Sequence, residues 1–333
     1  MRVRSFAWAM VPLAACRSGS GAGTAPARET PTEIERPPKT QTSPAPAASG
    51  AAQPIRRTLT VEEARRYMVQ LINRDRSSMG LAPVVLDMGA ATRAGQHHAQ
   101  DMASHGFLGH WGTDGSVPEE RFTDAGGTDM VLENASCFVD GKVRPLDPAP
   151  RIEARLVEQT EDSFFHEQPP HDGHRQNILK PWHRKVGLGM AQPVATPTEE
   201  PAPCIAQEFV DDYGTYSPVP GHWKIGAALH VEGSVRPPAI FAGVGLARVD
   251  SPGPIDVAEL NRRRSYPVPA PYEMYWPHGF KTSIEVKTNG PRFAIDVPVS
   301  DHGRRGMYEL SIWATVPGSP DFVMISLRTL DVR

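Results

Sequence analysis

Any chemistry in this chain has to come from imidazole and carboxylate side chains. Its 333 residues include 12 His and 38 Asp plus Glu, but only 3 Cys. No serine sits in a nucleophile-elbow pattern, and no cysteine stands free to act as a nucleophile. Two imidazoles brought to one place would bind Zn2+, with water or a carboxylate filling the remaining positions. Carboxylates would orient the rings by accepting the second N–H. Two Glu side by side would instead share a proton and work as acid and base. One local pattern imitates a metalloprotease helix, His166-Glu167 followed by His171. Its second histidine comes one residue too late, and Pro169-Pro170 interrupts the helix that would align the pair. A functional pair must therefore be assembled from distant parts of the chain.

Composition narrows what can do the assembling. The chain holds 34 Pro and 29 Gly, with a formal net charge of -3. That much Pro and Gly excludes a long coiled coil, and the absence of a basic excess argues against a non-specific nucleic-acid binder. Three cysteines are too few for a disulfide-dense mini-protein. Arg2 and Arg4 precede an uncharged run from Ser5 to Ala15, which is too short to span a bilayer but fits a signal sequence. Its end, Leu13-Ala14-Ala15-Cys16, resembles the bacterial lipobox, in which the cysteine takes the lipid. With Arg17 next rather than Asp, the outer membrane is the expected destination in a Gram-negative cell. Residues 17–58 are dominated by Pro, Ala, Gly, Ser and Thr, and read as a disordered tether between lipid and folded protein.

Folded structure is expected from Thr60, whose spacing to Glu63 is a capping box for a helix carrying Ala64, Met68, Leu71 and Ile72. Asp87 can cap a second helix through Met102. A third fits Arg151 to about Glu167, ending at the prolines, and a short helical turn fits Asp172 to Leu179. Strands are expected over Lys185 to Met190 and Cys204 to Val210, with a Pro-rich hairpin loop between them.

Several short motifs in this region resemble, in order and spacing, those of the CAP superfamily of cysteine-rich secretory, antigen 5 and pathogenesis-related-1 proteins. They are Asn73-Arg74 with Gly80-Leu81-Ala82-Pro83, then Ala94, His98-Ala99, Asp101-Met102-Ala103 and Phe107-Leu108-Gly109-His110. Asp114-Gly115 with Arg121, Leu132-Glu133-Asn134-Ala135, Gly173-His174-Arg175-Gln176-Asn177-Ile178-Leu179 and Val186-Gly187-Leu188-Gly189 follow. The resemblance spans about residues 60–215 and implies an α-β-α sandwich. It also implies a central cleft with two His and two acidic residues. Carried over by motif, these are His110, Glu133, Glu167 and His174, with His110 and His174 as the metal-binding pair. Leu132 stands where the family usually has Gly, and Phe164 where it usually has Trp. Glu161 and Glu158 are the fallback acids. Asn134 is read as a loop brace. His98 is expected on the buried side of the second helix, and His97, His105, His171 and His183 at the surface.

Cys137 and Cys204 remain after Cys16. An exported compartment permits a bridge between them, and its long loop would stabilise the fold by about 4 kcal/mol. Beyond about Tyr216 the pattern changes to strands: Trp223 to Val231, Ile240 to Val249, Thr282 to Lys287, Arg292 to Val299, Met307 to Thr315 and Asp321 to Val332. Asn289-Gly290 is a hairpin signal. These suggest a small antiparallel β-sandwich, of which the immunoglobulin-like fold is one form. Tyr266, Pro267, Pro269, Pro271, Tyr272, Tyr275 and Trp276 form an aromatic–proline segment, read as a stiffened crossover or as a platform for sugar or peptide.

The expected organisation is thus α+β: a signal peptide (1–16), a tether (17–58), a CAP domain (59–215) and a β-sandwich (216–333). The expected function is a lipid-anchored envelope module whose His/Glu cleft binds a divalent metal such as Zn2+, or an envelope ligand of lipid, peptide or glycan type. The alternatives are a metal-dependent hydrolase acting on envelope polymer or protein, and a structural protein with a vestigial cleft.

Overall fold

The computed structural model describes residues 57–197, 202–263 and 265–333. The signal peptide, Cys16 and nearly all of the tether lie outside the described residues. Those described fall within one compact unit, and none of their helices is long and apolar enough to cross a membrane.

The chain begins in a short strand, β1 (Thr58–Leu59), and enters α1 (Val61–Ser78). Thr60 and Glu63 form the capping box in full, with Glu63 N–H donating to Thr60 Oγ1 at 3.2 Å and Thr60 N–H to Glu63 Oε2 at 2.8 Å. Ala64, Met68, Leu71 and Ile72 make its buried stripe. The Asn-Arg and Gly-Leu-Ala-Pro motifs then have a physical reason. Asn73 exchanges two hydrogen bonds with the backbone of Val84, at 2.9 and 2.8 Å, which fixes the turn into β2 (Val85–Leu86). The N-cap of α2 (Ala90–His105) is Gly89 rather than Asp87, but Asp87 Oδ2 reaches in from two residues earlier to accept from the Ala91 N–H at 2.9 Å.

Next come α3 (Pro118–Asp124), β3 (Val131–Ser136), β4 (Ile152–Glu153), α4 (Ala154–Phe165), α5 (Gly173–Ile178), β5 (Lys185–Ala191) and β6 (Cys204–Val210). Strands β2, β5, β6 and β3 form one sheet in that order, with β2–β5 parallel and the other pairs antiparallel. Alternation along β5 decides what covers each face. Val186, Leu188 and Met190 enter the core with α1 and α4. Gly187 and Gly189 face α2 on the other side. A Cβ on Gly189 would lie 1.9 Å from the Gly95 carbonyl oxygen, so α2 can approach only a glycine there. The result is the expected α-β-α sandwich. Cys137 and Cys204 form a disulfide, with Cα atoms 4.3 Å apart.

Two expectations about this region need correction. The third helix starts at Ala154, because Ile152 and Glu153 pair with β1. It ends at Phe165, so Glu167 lies beyond the helix, in the turn that Pro169 and Pro170 impose. His183 is buried, not at the surface: its Nδ1 is 2.6 Å from Asp211 Oδ1, and its ring stacks on Phe209.

The rest of the chain is a two-sheet sandwich. Its strands are β7 (Gly214–Tyr216), β8 (His222–Trp223), β9 (Ala228–Val235), β10 (Ile240–Val249), β11 (Glu273–Tyr275), β12 (Lys287–Asn289), β13 (Arg292–Pro298), β14 (Gly306–Thr315) and β15 (Val323–Val332). A short helix, α6 (Val257–Leu260), interrupts them. One sheet runs β11-β10-β14-β15-β8 and the other β12-β13-β9-β7. All pairs are antiparallel except β15–β8. The strand expected over Thr282 to Lys287 forms only from Lys287. It pairs with β13 across the Asn289-Gly290 turn, where Gly290 takes φ +59°.

Candidate functional site: two imidazole–carboxylate pairs

The four residues carried over by motif come together as two pairs. His110 Nδ1 lies 2.8 Å from Glu133 Oε1. His174 Nδ1 lies 2.5 Å from Glu167 Oε1, and Glu167 Oε2 also accepts from the His174 N–H at 2.9 Å. The fallback acids are elsewhere: Glu161 bonds Gln207, and Glu158 accepts from Tyr67. Cys137, which follows the Glu-Asn motif, is occupied in the disulfide.

The sheet explains the arrangement. Glu133 and Asn134 are neighbours on the edge strand β3, so their side chains leave opposite faces. Glu133 goes to the α2 side, where Arg121 Nη2 donates to its Oε2 at 2.8 Å and His98 Nε2 stands 3.6 Å from its Oε1. Asn134 goes to the other side. There its amide nitrogen donates to the His174 carbonyl at 3.2 Å and to Gln207 Oε1 at 3.0 Å, while its oxygen accepts from Asn177 at 3.0 Å. The edge strand is therefore straddled, with one imidazole pair tied to each face. Asn134 braces the backbone that carries His174, but from a strand rather than a loop.

Burial differs sharply between the carboxylates. The Glu133 side chain is 1% exposed and that of Glu167 23%. Burial alone would raise Glu133, but the facing His98, the Arg121 guanidinium and the His110 bond outweigh it. They hold its carboxyl well below the usual carboxylate range. His98 is pushed down to about 4 by burial and then by Arg121, so it is neutral at pH 7 and donates through Nε2 to the Gly109 carbonyl at 2.8 Å. Burial also lowers His174, against the pull of Glu167.

The two imidazoles keep 23% and 30% of their side-chain surface. The charge of His110 adds to the lowering of His174, so the rings feel one another. Among the described residues, neither Nε2 makes a hydrogen bond. Nor is there, among those residues, a group of three or more His, Cys, Asp or Glu side chains arranged to hold a metal ion. Two cavities, of about 290 and 530 Å3, lie away from the tetrad. One is lined by Arg184, Lys185 and Arg236, the other by the face of β9 and β13.

Sequence reasoning missed several members of this site. Arg121 was visible only as a motif residue, yet it is the cation that keeps Glu133 ionised. Its helix, α3, carried a readable start signal in Pro118 with Glu119 and Glu120 in the first turn. Glu208 sits directly across the ladder from Glu133. Burial, and then the Glu133 charge, raise it far above the usual carboxylate range, so the two facing acids differ in protonation.

This fold and these pairs define a class. Residues 69–193 match the family model of the cysteine-rich secretory protein family, CAP, and this part of the chain is a CAP domain. All four tetrad residues fall inside the match, whereas β6 and the whole β-sandwich fall outside it. No curated protein matches the chain.

Proposed function

We propose that this is an exported, lipid-anchored binding module whose His110/His174 pair takes a divalent cation or the polar group of an envelope ligand. One observation carries the reading. Each imidazole has its Nδ1 fixed by its own carboxylate, and among the described residues each Nε2 is left without a protein partner. A carboxylate only accepts, so it places the ring proton on Nδ1 and leaves the Nε2 lone pair to donate outward. The donor set suits Zn2+, which favours imidazole nitrogen. With two protein donors, the remaining positions belong to solvent or to a ligand atom. Such a site binds weakly and exchanges readily, which suits recognition of a lipid, peptide or glycan group through the cation. The CAP assignment, the disulfide and the lipobox at Cys16 together support an extracytoplasmic location at a membrane surface.

The test is calorimetric titration of the full chain with Zn2+ beside His110→Ala and His174→Ala. Each variant should weaken binding by roughly tenfold or more. Equal affinity in all three would sink the shared site. Turnover of casein or peptidoglycan that depends on both histidines would move the protein to the hydrolases. For the anchor, Cys16→Ser should shift the protein from the membrane to the soluble fraction.

A further inference from the structure

Strands β10 and β11 are antiparallel neighbours, with Val244 opposite Tyr275 and Leu246 opposite Glu273. Such neighbours need a connection of about 2–5 residues. The chain instead spends residues 250–272 on the journey, with only the four-residue helix α6 inside it, and connections of that length are usually functional. This one leaves the sandwich, crosses the CAP domain and returns where Tyr272 N–H meets the Leu246 carbonyl at 3.0 Å.

Its contacts fall on the loop that carries His110. Gly253 packs against Gly115, where a Cβ would sit 2.3 Å from the Gly253 carbonyl oxygen. The Ile255 N–H donates to the Thr113 carbonyl at 2.9 Å. Leu260, 1% exposed, joins Met102, Phe107 and Ala206 in the core beside α2. Asn261 Oδ1 accepts from the Leu108 N–H at 3.2 Å. Trp111, the residue after His110, is held between Tyr266, edge-on at 5.1 Å, and the Arg263 guanidinium at 4.7 Å. Tyr266 in turn donates to the buried Glu119 of α3.

The CAP domain's own residues pin only part of this loop. His98 holds the Gly109 carbonyl, Arg121 the His110 carbonyl at 3.1 Å, and Asp101 the Thr113 N–H at 2.7 Å. The Leu108 N–H and the Thr113 carbonyl, on either side of His110, are satisfied from the strap. We propose that residues 253–263 together with Tyr266 are a positioning strap for the His110 half of the site, with Asn261 and Arg263 as positioning residues. The β-sandwich thereby completes a site that the family match places wholly inside the CAP domain. The proposal rests on the binding reading above for its consequence, but not for its structure.

Both levels can be measured on the full chain. Asn261→Ala removes the acceptor for Leu108, and Asn261→Asp keeps it. Amide exchange over residues 107–113 should quicken about tenfold in the first and return in the second, with little change in melting temperature. Zn2+ affinity should fall and recover in parallel. Arg263→Ala, which uncovers one face of Trp111, serves if Asn261→Ala does not fold, with the same expected direction. Unchanged exchange in the variants overturns the strap. Faster exchange with unchanged Zn2+ affinity overturns its positioning role. If the unmodified chain binds no Zn2+, the cation reading fails. Site-resolved carbethoxylation of His110 relative to His174 then decides the strap: an altered ratio in the variants supports it, and a constant ratio overturns it.

Discussion

The two halves of the tetrad use the same pair of side chains in opposite structural settings. The His110–Glu133 half is long-range. Its carboxylate comes from a strand, its cation from α3, its second imidazole from α2, and its loop is strapped from the sandwich. The His174–Glu167 half is local. Glu167 and His174 are seven residues apart, and the bonds described for residues 166–177 come from residues 133–180. The first carboxylate is desolvated and matched by a permanent cation; the second meets water. The difference suggests a division of labour: a rigid arm that fixes the site and a softer one that adapts to what is bound.

The largest effect should come from breaking the rigid half at its charge. Arg121→Ala leaves Glu133 ionised and buried without its guanidinium partner. Removing one member of a buried ion pair costs about 3–5 kcal/mol, because the survivor cannot be rehydrated. Urea denaturation at pH 7 measures it. The matching change in the soft half, Glu167→Gln, should cost less than about 1 kcal/mol, as exposed pairs do. If the two losses agree within about 1 kcal/mol, the contrast between the halves is wrong.

A second effect lies behind Arg121. Glu119 of α3 and Glu309 of β14 are both buried, with Tyr266 bonded to Glu119, at the contact between CAP domain and sandwich. Burial, and then the Glu119 charge, push Glu309 up to about 9. A carboxyl raised this way keeps a proton that the unfolded chain releases near its ordinary value. Its stabilising contribution is therefore full below about pH 4.5 and is lost progressively as pH rises toward 9. Glu309→Gln keeps the shape and has no proton to lose. It should stabilise the protein by on the order of 1–3 kcal/mol at pH 8 and by almost nothing at pH 4. A difference independent of pH would mean that Glu309 does not titrate as a buried acid. The sharper reading is that the packing behind the rigid half is weakened by alkali.

These contrasts also show what a sequence exposes. Helix caps, the straddling Glu-Asn dipeptide and the His-bearing motifs could be located because each is a local pattern. The capping box at Thr60 and the tight turn at Asn289-Gly290 formed where their spacing required. The soft half was legible through the family resemblance, which supplied Glu167 and His174 by motif but placed Glu167 on the third helix rather than in the turn beyond it. The rigid half was legible only in its two named residues. Arg121, Glu208 and the burial of His98 against Glu133 depend on which strand lies opposite which, and that is not written in any short window. The strap was invisible for the plainest reason. Residues 250–272 have neither helical nor strand periodicity, and their partners, Leu108, Trp111 and Thr113, lie more than a hundred positions earlier. The aromatic–proline segment was noticed but read as one unit. In the structure it divides: Tyr266 packs on Trp111 of the CAP domain, whereas Tyr275 is buried in the sandwich core.

The smallest change in stability should accompany the most specific change in chemistry. Glu167 gives one oxygen to the His174 N–H and the other to Nδ1. A glutamine has only one accepting oxygen. If that oxygen keeps the backbone bond, the amide NH2 faces Nδ1 and makes it an acceptor. The ring proton must then move to Nε2, where it occupies the lone pair a cation needs. Glu167→Gln should thus lower Zn2+ affinity by roughly 10–100-fold while leaving the urea midpoint almost unmoved. Nitrogen-15 shifts of the labelled imidazole would show the proton on Nε2 directly. Undiminished affinity with the proton still on Nδ1 would show that Glu167 does not set the tautomer. The soft half would then owe its orientation to the Asn134 bond at the His174 carbonyl and to the Phe164 ring, 4.4 Å from the imidazole.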